Sequence, residues 1–411
     1  MNDVARAVEE TAARVAAAAP ALRARTAAEL DGVLRDTARR LAAQTDAVLA
    51  ANREDVAAGE SRLSGAVLDR LRLDDARLAG ICKQLQTLAD LPAVNPVISR
   101  EEREGRVIEA RRIPVGVIGA NYEARANVTV DVASQLIKSR NGGVLRTGAA
   151  ALRTAQTMVD LAIGPALEAV AVPAAAISIV QRAEHEAAQA LVALPRLIPL
   201  VILRGSGELT ARLAQRAAAH GVRTLAHAEG GGVMFVDRSA DIDLAMMLVE
   251  RGLDRLGVCN RLNLLLIDRG LWDALAPEVV RRLERCGIRS SLPPHEHALG
   301  YEWAGDAQRA ASVTLAPVPG ALAAAELANS ETSGLAATVV AEDGDAAAEF
   351  IEAYRGTGVF WNETTRLLDG FALFRSPETG ISTDHVPGPR GPVTYQDLHL
   401  RQIVVRPADR S

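Results

Sequence analysis

Short apolar runs recur along the middle of this chain, mostly separated by helical stretches. They are Ile113-Pro114-Val115-Gly116-Val117-Ile118-Gly119, Gly143-Val144-Leu145, Ile177-Ser178-Ile179-Val180, Leu200-Val201-Ile202-Leu203 and Val233-Met234-Phe235-Val236. A strand that is apolar on both sides of its pleat has to be covered on both faces. Alternation of such strands with helices therefore predicts a parallel sheet with helices on either side, an α/β fold.

The flanking segments read differently. Residues 1 to 91 read as helices, because apolar side chains recur at three- and four-residue spacing, as in Leu30, Val33, Leu34, Ala38 and Leu41. Residues 92–118 carry Pro92, Pro96 and Gly105 and a mixed polar and apolar stretch, Arg106–Arg112. That pattern predicts a β-hairpin leading into the first buried strand. A second unit is expected over 239–375, with strands at Leu264–Ile267 and Ala336–Val340 and a helix around Trp272–Cys286. The segment from Gly380 onward is rich in Gly and Pro and ends in the strand-like Arg401-Gln402-Ile403-Val404-Val405. At 411 residues the chain exceeds one small core, so two or three domains are expected.

Composition narrows the function. The chain is 49% hydrophobic and 24% charged, the balance of an ordinary soluble globular protein. Its net charge of −5 argues against a general nucleic-acid binder, which carries a basic footprint. Lys83 and Lys138 are the only lysines, so the many arginines reflect compositional bias rather than a patch. Cys82, Cys259 and Cys286 are scattered, with no C-x-x-C spacing, so neither a disulfide framework nor a zinc site is expected. His295 and His297 lack further ligands nearby and sit in a proline-bearing loop, so no metal is expected. No run of 18 apolar residues predicts a membrane span, and the N-terminus lacks the pattern of a leader. The cytoplasm is the expected compartment.

Several segments carry candidate chemistry. Cys259 stands in Gly257-Val258-Cys259-Asn260, between a helix-like stretch (243–256) and an apolar run (262–267). A thiol there is either an activated nucleophile or a buried structural side chain. Arg204-Gly205-Ser206-Gly207 follows an apolar strand and opens a helix; its small residues suit a phosphate, or simply a tight turn. Arg146-Thr147-Gly148 also follows an apolar run, and its Arg is either a ribose or phosphate ligand or a solvated charge. The polar run from Tyr122 to Asp131, with Glu123, Arg125 and Asn127, lies just past a buried strand, where open α/β sheets build sites. Asn127 is a candidate oxyanion donor, or a helix cap in company with Thr129. Arg366 and Ser382 are candidate ligands for a carboxylate or phosphate in segments that equally read as loops.

The order and spacing of these segments resemble the gamma-glutamyl phosphate reductase (glutamate-5-semialdehyde dehydrogenase) family, a branch of the aldehyde dehydrogenase superfamily. The resemblance runs from about residue 25 to the C-terminus. It rests on Tyr122-Glu123-Ala124-Arg125 with Asn127-Val128-Thr129-Val130-Asp131, on Gly257-Val258-Cys259-Asn260, on Asn362 with Thr365-Arg366, on Glu378 with Gly380-Ile381-Ser382, and on Arg390-Gly391-Pro392. It implies a Rossmann-type cofactor domain (1–104 and 116–238), an α/β catalytic domain (239–378), and a small β oligomerisation element (105–115 and 379–411). It implies NADPH-dependent reduction of an acyl phosphate to an aldehyde, in proline biosynthesis, by a homodimer or homotetramer supplied by a partner kinase. Residue by residue it makes Cys259 the nucleophile and Asn127 the oxyanion donor. It places Arg146, Thr147, Gly148, Arg204, Gly205 and Ser206 at the cofactor, and Glu123, Arg125, Arg366 and Ser382 at the substrate.

The sequence departs from the family pattern at several points. Arg125-Ala126-Asn127 stands for the usual Arg-Pro-Asn, and Arg146-Thr147-Gly148 for Arg-Gly-Gly. Glu229-Gly230-Gly231-Gly232 replaces a segment that usually holds a Cys-His pair. Ser333-Gly334-Leu335-Ala336 replaces a Gly-His-Thr/Ser-acid stretch. Lost polar groups redirect substrate choice, so a different acyl phosphate in a specialised pathway is one alternative. Acyl transfer from the same Cys without hydride transfer is another, and a non-catalytic paralogue a third.

Overall fold

The N-terminal helices of the computed structural model are α1 (Asp3–Arg23), α2 (Ala27–Ala43), α3 (Thr45–Gly59), α4 (Gly65–Leu71) and α5 (Asp75–Asp90). The structure describes residues 2–63, 65–205, 207–227, 230–306, 308–380 and 391–408. Helix α2 starts sharply because the Thr26 hydroxyl accepts the Glu29 N–H at 3.2 Å, while the Glu29 carboxylate accepts the Thr26 N–H at 2.7 Å. Leu30, Val33, Leu34, Ala38 and Leu41 then fall on one buried face, in one core cluster with Ile118, Leu136 and Leu145.

The hairpin follows as β1 (Val97–Arg103) and β2 (Arg106–Pro114), antiparallel. Glu104 and Gly105 join them with φ of 54° and 70°. Two left-handed residues in a two-residue loop form the turn whose twist matches that of the flanking strands.

Fourteen strands are described in all. The next are β3 (Val117–Tyr122), β4 (Gly142–Thr147), β5 (Ile177–Ile179), β6 (Leu200–Arg204) and β7 (Arg223–His227). They form one sheet in the order β5-β4-β3-β6-β7, parallel at β3/β4, β3/β6 and β4/β5. The chain enters at the centre, steps outward twice, then returns to the other side of β3. That reversal leaves a crevice at the carboxyl ends of β3 and β6, where open α/β sheets bind ligands.

The remaining strands are β8 (Gly232–Val236), β9 (Leu262–Asp268), β10 (Arg289–Ser291), β11 (Ser312–Val318), β12 (Ala336–Val340), β13 (Gly358–Trp361) and β14 (His399–Pro407). Strands β8 to β13 form an all-parallel sheet ordered β10-β11-β9-β8-β12-β13. Strand β14 instead pairs antiparallel with β2, completing a three-stranded sheet, β1-β2-β14. Two compact units result. One holds residues up to 226 with 375–380 and the chain from 393, and the other holds 227–374 with 391–392.

Two boundaries therefore lie elsewhere than the sequence suggested. Strand β8, expected within 116–238 of the first unit, belongs to the second sheet. An apolar run such as Val233–Val236 reads the same in either sheet, and only its pairing with β9 and β12 assigns it. Residues 375–378, expected at the end of the second unit, lie in the first. No described helix is long and apolar enough to cross a membrane.

Candidate active site

In the first unit, the turn after β3 leads into α6 (Ala126–Lys138) through Glu123, Ala124 and Arg125. Ala124 has φ of 37°, a left-handed conformation that costs a non-glycine residue roughly 1–2 kcal/mol. This sharp bend brings α6 onto the end of β3. Tyr122 and Thr129 share a buried hydrogen bond of 2.8 Å across it.

The N-cap of α6 is Arg125, and no side chain caps the helix. The reading of Asn127 or Thr129 as a cap therefore does not hold. Asn127 is half-buried and donates its amide to Asp131 Oδ2 at 2.9 Å. Burial raises the Asp131 carboxyl to about 7, against the pull of Arg204. Glu378 pushes it up further, while the Asn127 amide and Arg125 lower it. Two carboxyl groups, an amide and two guanidiniums thus come together near the carboxyl ends of β3 and β6. Asp131 has no mark in the sequence beyond its motif; its half-burial and its charged neighbours are tertiary properties.

Beside this cluster, Gly205 lets β6 approach Glu123. A Cβ at Gly205 would stand 3.3 Å from the Glu123 side chain. A cleft of about 560 Å³ opens here, lined by Glu123, His185, Gln189, Arg212 and Arg216 among others. The last four belong to helices His185–Leu191 and Gly207–Ala219, which follow β5 and lie next to β6. No sequence signal marked them, because the cleft forms only when these two helices meet the turn after β3.

Arg146 and Thr147 end β4 and Gly148 follows it. Arg146 is only 2% exposed. Its guanidinium donates to Asn121 Oδ1 at 3.0 Å and to the carbonyls of Ala183 and Glu184 at 2.6 and 3.0 Å. The expected alternative of a solvated surface charge is overturned, since an apolar strand carries the residue inside. Arg146 Nε, Thr147 Oγ1 and Arg204 Nε are buried without a hydrogen-bond partner among the described residues. Ser206 lies outside those residues, as does Ser382.

In the second unit, Cys259 sits in a turn between helix Ile242–Gly252 and β9. The helix ends four residues before the Leu256 that the sequence suggested, so Cys259 is not at its terminus. The turn is shaped by the glycines that precede β8. Gly231 N–H donates to the Cys259 carbonyl at 2.6 Å, and Gly232 N–H to the Arg261 carbonyl at 2.6 Å. A Cβ on Gly230 would lie 2.6 to 2.8 Å from Cys259 O, Cβ and Cα, so only glycine fits there.

The segment 365–368 clamps the same turn from the other side. Thr365 Oγ1 donates to the Asn260 carbonyl at 2.9 Å. Asn260, 4% exposed, donates to the carbonyls of Arg366 and Leu368 at 3.2 and 3.1 Å. Arg366 returns a bond to Asn260 Oδ1 and pairs with Asp254 at 2.7 Å. Arg366, expected at a substrate, thus has two of its donors holding the cysteine turn. Cys259 is half-buried and packs against a cluster of Leu335, Ala336 and Leu368, as Phe360 also does. Arg261 next to it is fully buried and donates to three main-chain carbonyls, and burial lowers its guanidinium to about 10. Among the described residues no group of three His, Cys, Asp or Glu side chains is placed to hold a metal.

Known proteins share this architecture. The aldehyde dehydrogenase family model matches residues 1–298. A gamma-glutamyl phosphate reductase of Sphingopyxis alaskensis is 34% identical over 418 residues, covering 98% of this chain and 95% of that protein. One of Caulobacter vibrioides is 33% identical over 366 residues, covering 86% and 87%. The crystal structure of a gamma-glutamyl phosphate reductase of Thermotoga maritima superposes with a TM-score of 0.89 at 28% identity, over 98% of this chain and 99% of that one. The chain belongs to the aldehyde dehydrogenase family, in its gamma-glutamyl phosphate reductase branch.

Proposed function

We propose that this protein reduces gamma-glutamyl phosphate, or an acyl phosphate close to it, to the semialdehyde with NADPH. One observation carries the reading most. The Gly257–Asn260 turn, shared with the family, is clamped between glycines 230–232 and Thr365-Arg366 with its cysteine half-buried. A merely structural thiol does not call for so specific a mount.

The residues present fit a nicotinamide nucleotide. The cleft beside Glu123 lies at the reversal of the first sheet, and Arg212 and Arg216 on its wall suit a phosphate ester. The unpartnered Arg204 Nε and Thr147 Oγ1 at the strand ends suit further polar atoms of such a ligand. Gly148 and Ser206 stay proposed contacts of the same ligand. Arg146 is proposed to shape the site through Asn121 and the 183–184 carbonyls.

The chemistry proposed for the chain's own residues is as follows. The Cys259 thiolate attacks the acyl carbon, and the carbon–oxygen bond to phosphate breaks with its electrons leaving on phosphate. When bound, the nicotinamide supplies the hydride that reduces the thioester. Collapse of the hemithioacetal releases the aldehyde and restores the thiolate. Negative charge builds on the acyl oxygen in both halves, so the Asn127 amide acts twice as its donor. Asp131 fixes which way that amide points. Glu123, Arg125 and Ser382 are the proposed substrate contacts, with Arg366 holding the turn.

An acyl phosphate hydrolyses in water, which favours supply by a partner kinase. Proline biosynthesis in the cytoplasm is the corresponding setting. The three-stranded sheet exposes Ile98, Leu400, Ile403 and Val405, each at least 45% accessible, which supports its role in forming a homodimer or homotetramer. The test is NADPH oxidation with enzymatically generated acyl phosphates of varied chain length, comparing wild type with Cys259→Ala. Loss of turnover is expected, and turnover that survives the substitution sinks the assignment.

A further inference from the structure

A second polar cavity lies in the first unit, at the base of the three-stranded sheet. It has a volume of about 60 Å³ and is lined by Asp31, Arg112, Lys138, Arg140 and His399, with Leu30 and Pro114 among its apolar walls. Strands β2 and β14 meet there, since His399 pairs with Pro114 in their register. A water needs about 10–15 Å³ of such space, so the cavity holds roughly five water-sized groups, the heavy-atom count of a tetrahedral oxyanion.

The charges around it do not cancel. Lys138 is buried and pairs with Asp31 at 2.7 Å, also donating to the Leu91 carbonyl at 2.8 Å. Arg112 donates to the Asn95 carbonyl at 3.2 Å, and among the described residues neither Arg112 nor Arg140 pairs with a carboxylate. His399 adds a buried Nδ1 with no hydrogen-bond partner among those residues. Burial holds that imidazole below its usual range, helped by Arg112 and Arg140 and opposed by the Gln396 main chain and the Asp397 carboxylate. Two guanidiniums that form no ion pair among the described residues, and a buried ring nitrogen, thus share one small cavity. The carbonyl end of α6 would repel an anion, but the N–H groups of Ser139, Arg140 and Asn141 already take the carbonyls of Gln135, Ile137 and Leu136.

We propose that this cavity binds a small doubly charged oxyanion of the phosphate and sulfate type, gripped by Arg112 and Arg140. Bound anion would tie β2 and β14 to the end of α6, so the three-stranded sheet is stiffened by it. The site is separate from the cleft beside Glu123 and stands whether or not the proposed reaction is correct.

Titration calorimetry of the full chain with inorganic sulfate and with inorganic phosphate, at fixed ionic strength, tests this. One saturable site is expected for each anion, and none for chloride. Arg112→Gln and Arg140→Gln each weaken it at least tenfold, whereas Arg204→Gln, which alters the other site, leaves it unchanged. Circular dichroism melts confirm that the compared variants are folded, and either arginine variant alone suffices for the comparison. Absence of saturable sulfate binding in the millimolar range overturns the proposal. So does binding that survives both arginine substitutions, or binding that only Arg204→Gln removes.

Discussion

Asn127 donates its side-chain amide to Asp131, one turn further along α6, at 2.9 Å. The acceptor is a carboxyl that burial holds at about 7. Unfolded, it would ionise near pH 4. Between those values the native protein keeps a proton that the unfolded chain has lost. The stability tied to this proton is complete below about pH 4 and is lost as pH rises through about 7. Asp131→Asn cannot ionise and should remove that loss. The expected result is an unfolding midpoint for Asp131→Asn that gains on wild type from pH 4 to about pH 7 and levels off above that. A constant difference across that range would show that Asp131 ionises normally.

The fit of Gly230 against Cys259 gives a second test. A methyl group at Gly230 would meet Cys259 backbone atoms at 2.6 and 2.8 Å, and backbone does not move aside cheaply. Overpacking of this kind costs about 1–3 kcal/mol. Gly230→Ala should lower thermal stability by that amount and cut turnover at least tenfold, because the cysteine turn shifts. Iodoacetamide labelling of Cys259 reports the shift independently of turnover. Unchanged labelling and turnover would mean that the turn tolerates displacement.

These two relationships show where sequence reading stops. The strand Gly142–Thr147 was visible from three apolar residues, and helix α2 from its five-residue stripe, because periodicity is local. The hairpin was visible from Gly105 and its mixed neighbours. Strand β11 was not singled out: its Ser312, Thr314 and Pro317 break the apolar pattern, although the sheet buries most of it. Cys259 and Asn127 were legible as candidates from their short contexts. Their supports were not, since the Gly230 contact, the Thr365 clamp and the raised Asp131 carboxyl depend on residues brought together only by folding.

Arg146 separates a ligand role from a structural one. Its guanidinium makes three internal hydrogen bonds that a lysine ammonium cannot reproduce in fork geometry. Arg146→Lys should destabilise the protein by about 2–4 kcal/mol, from charged hydrogen bonds lost inside the fold. Denaturant melts measure this. A variant of wild-type stability with weakened cofactor affinity would instead place the guanidinium on the ligand.

The exposed side chains Ile403 and Val405 lie two residues apart on the edge strand β14, both 57% accessible. Residues two apart share a face, so their apolar surface is continuous. Such an edge invites pairing with another copy. Ile403→Glu with Val405→Glu should shift sedimentation from a dimer or tetramer to a monomer without loss of the circular dichroism signal. A wild-type chain that sediments as a monomer at micromolar concentration would remove this role from the sheet.

Arg212 and Arg216 lie one helical turn apart on the cleft that also holds Glu123. Arg212 pairs with Glu208 at 3.2 Å, but both side chains are largely exposed, so the pair is weak and the guanidinium can turn to a ligand. Arg216 Nε donates to the Gln189 carbonyl at 3.1 Å, a bond that does not use its terminal nitrogens. If they read a ribose phosphate, losing one charged hydrogen bond costs about 1.5–3 kcal/mol. Arg212→Ala and Arg216→Ala should then raise the KM for NADPH by roughly 10- to 100-fold, since about 1.4 kcal/mol is a factor of ten. The KM for NADH, which lacks that phosphate, should change little. Equal effects on the two cofactors would show that the arginines shape the cleft without choosing between them.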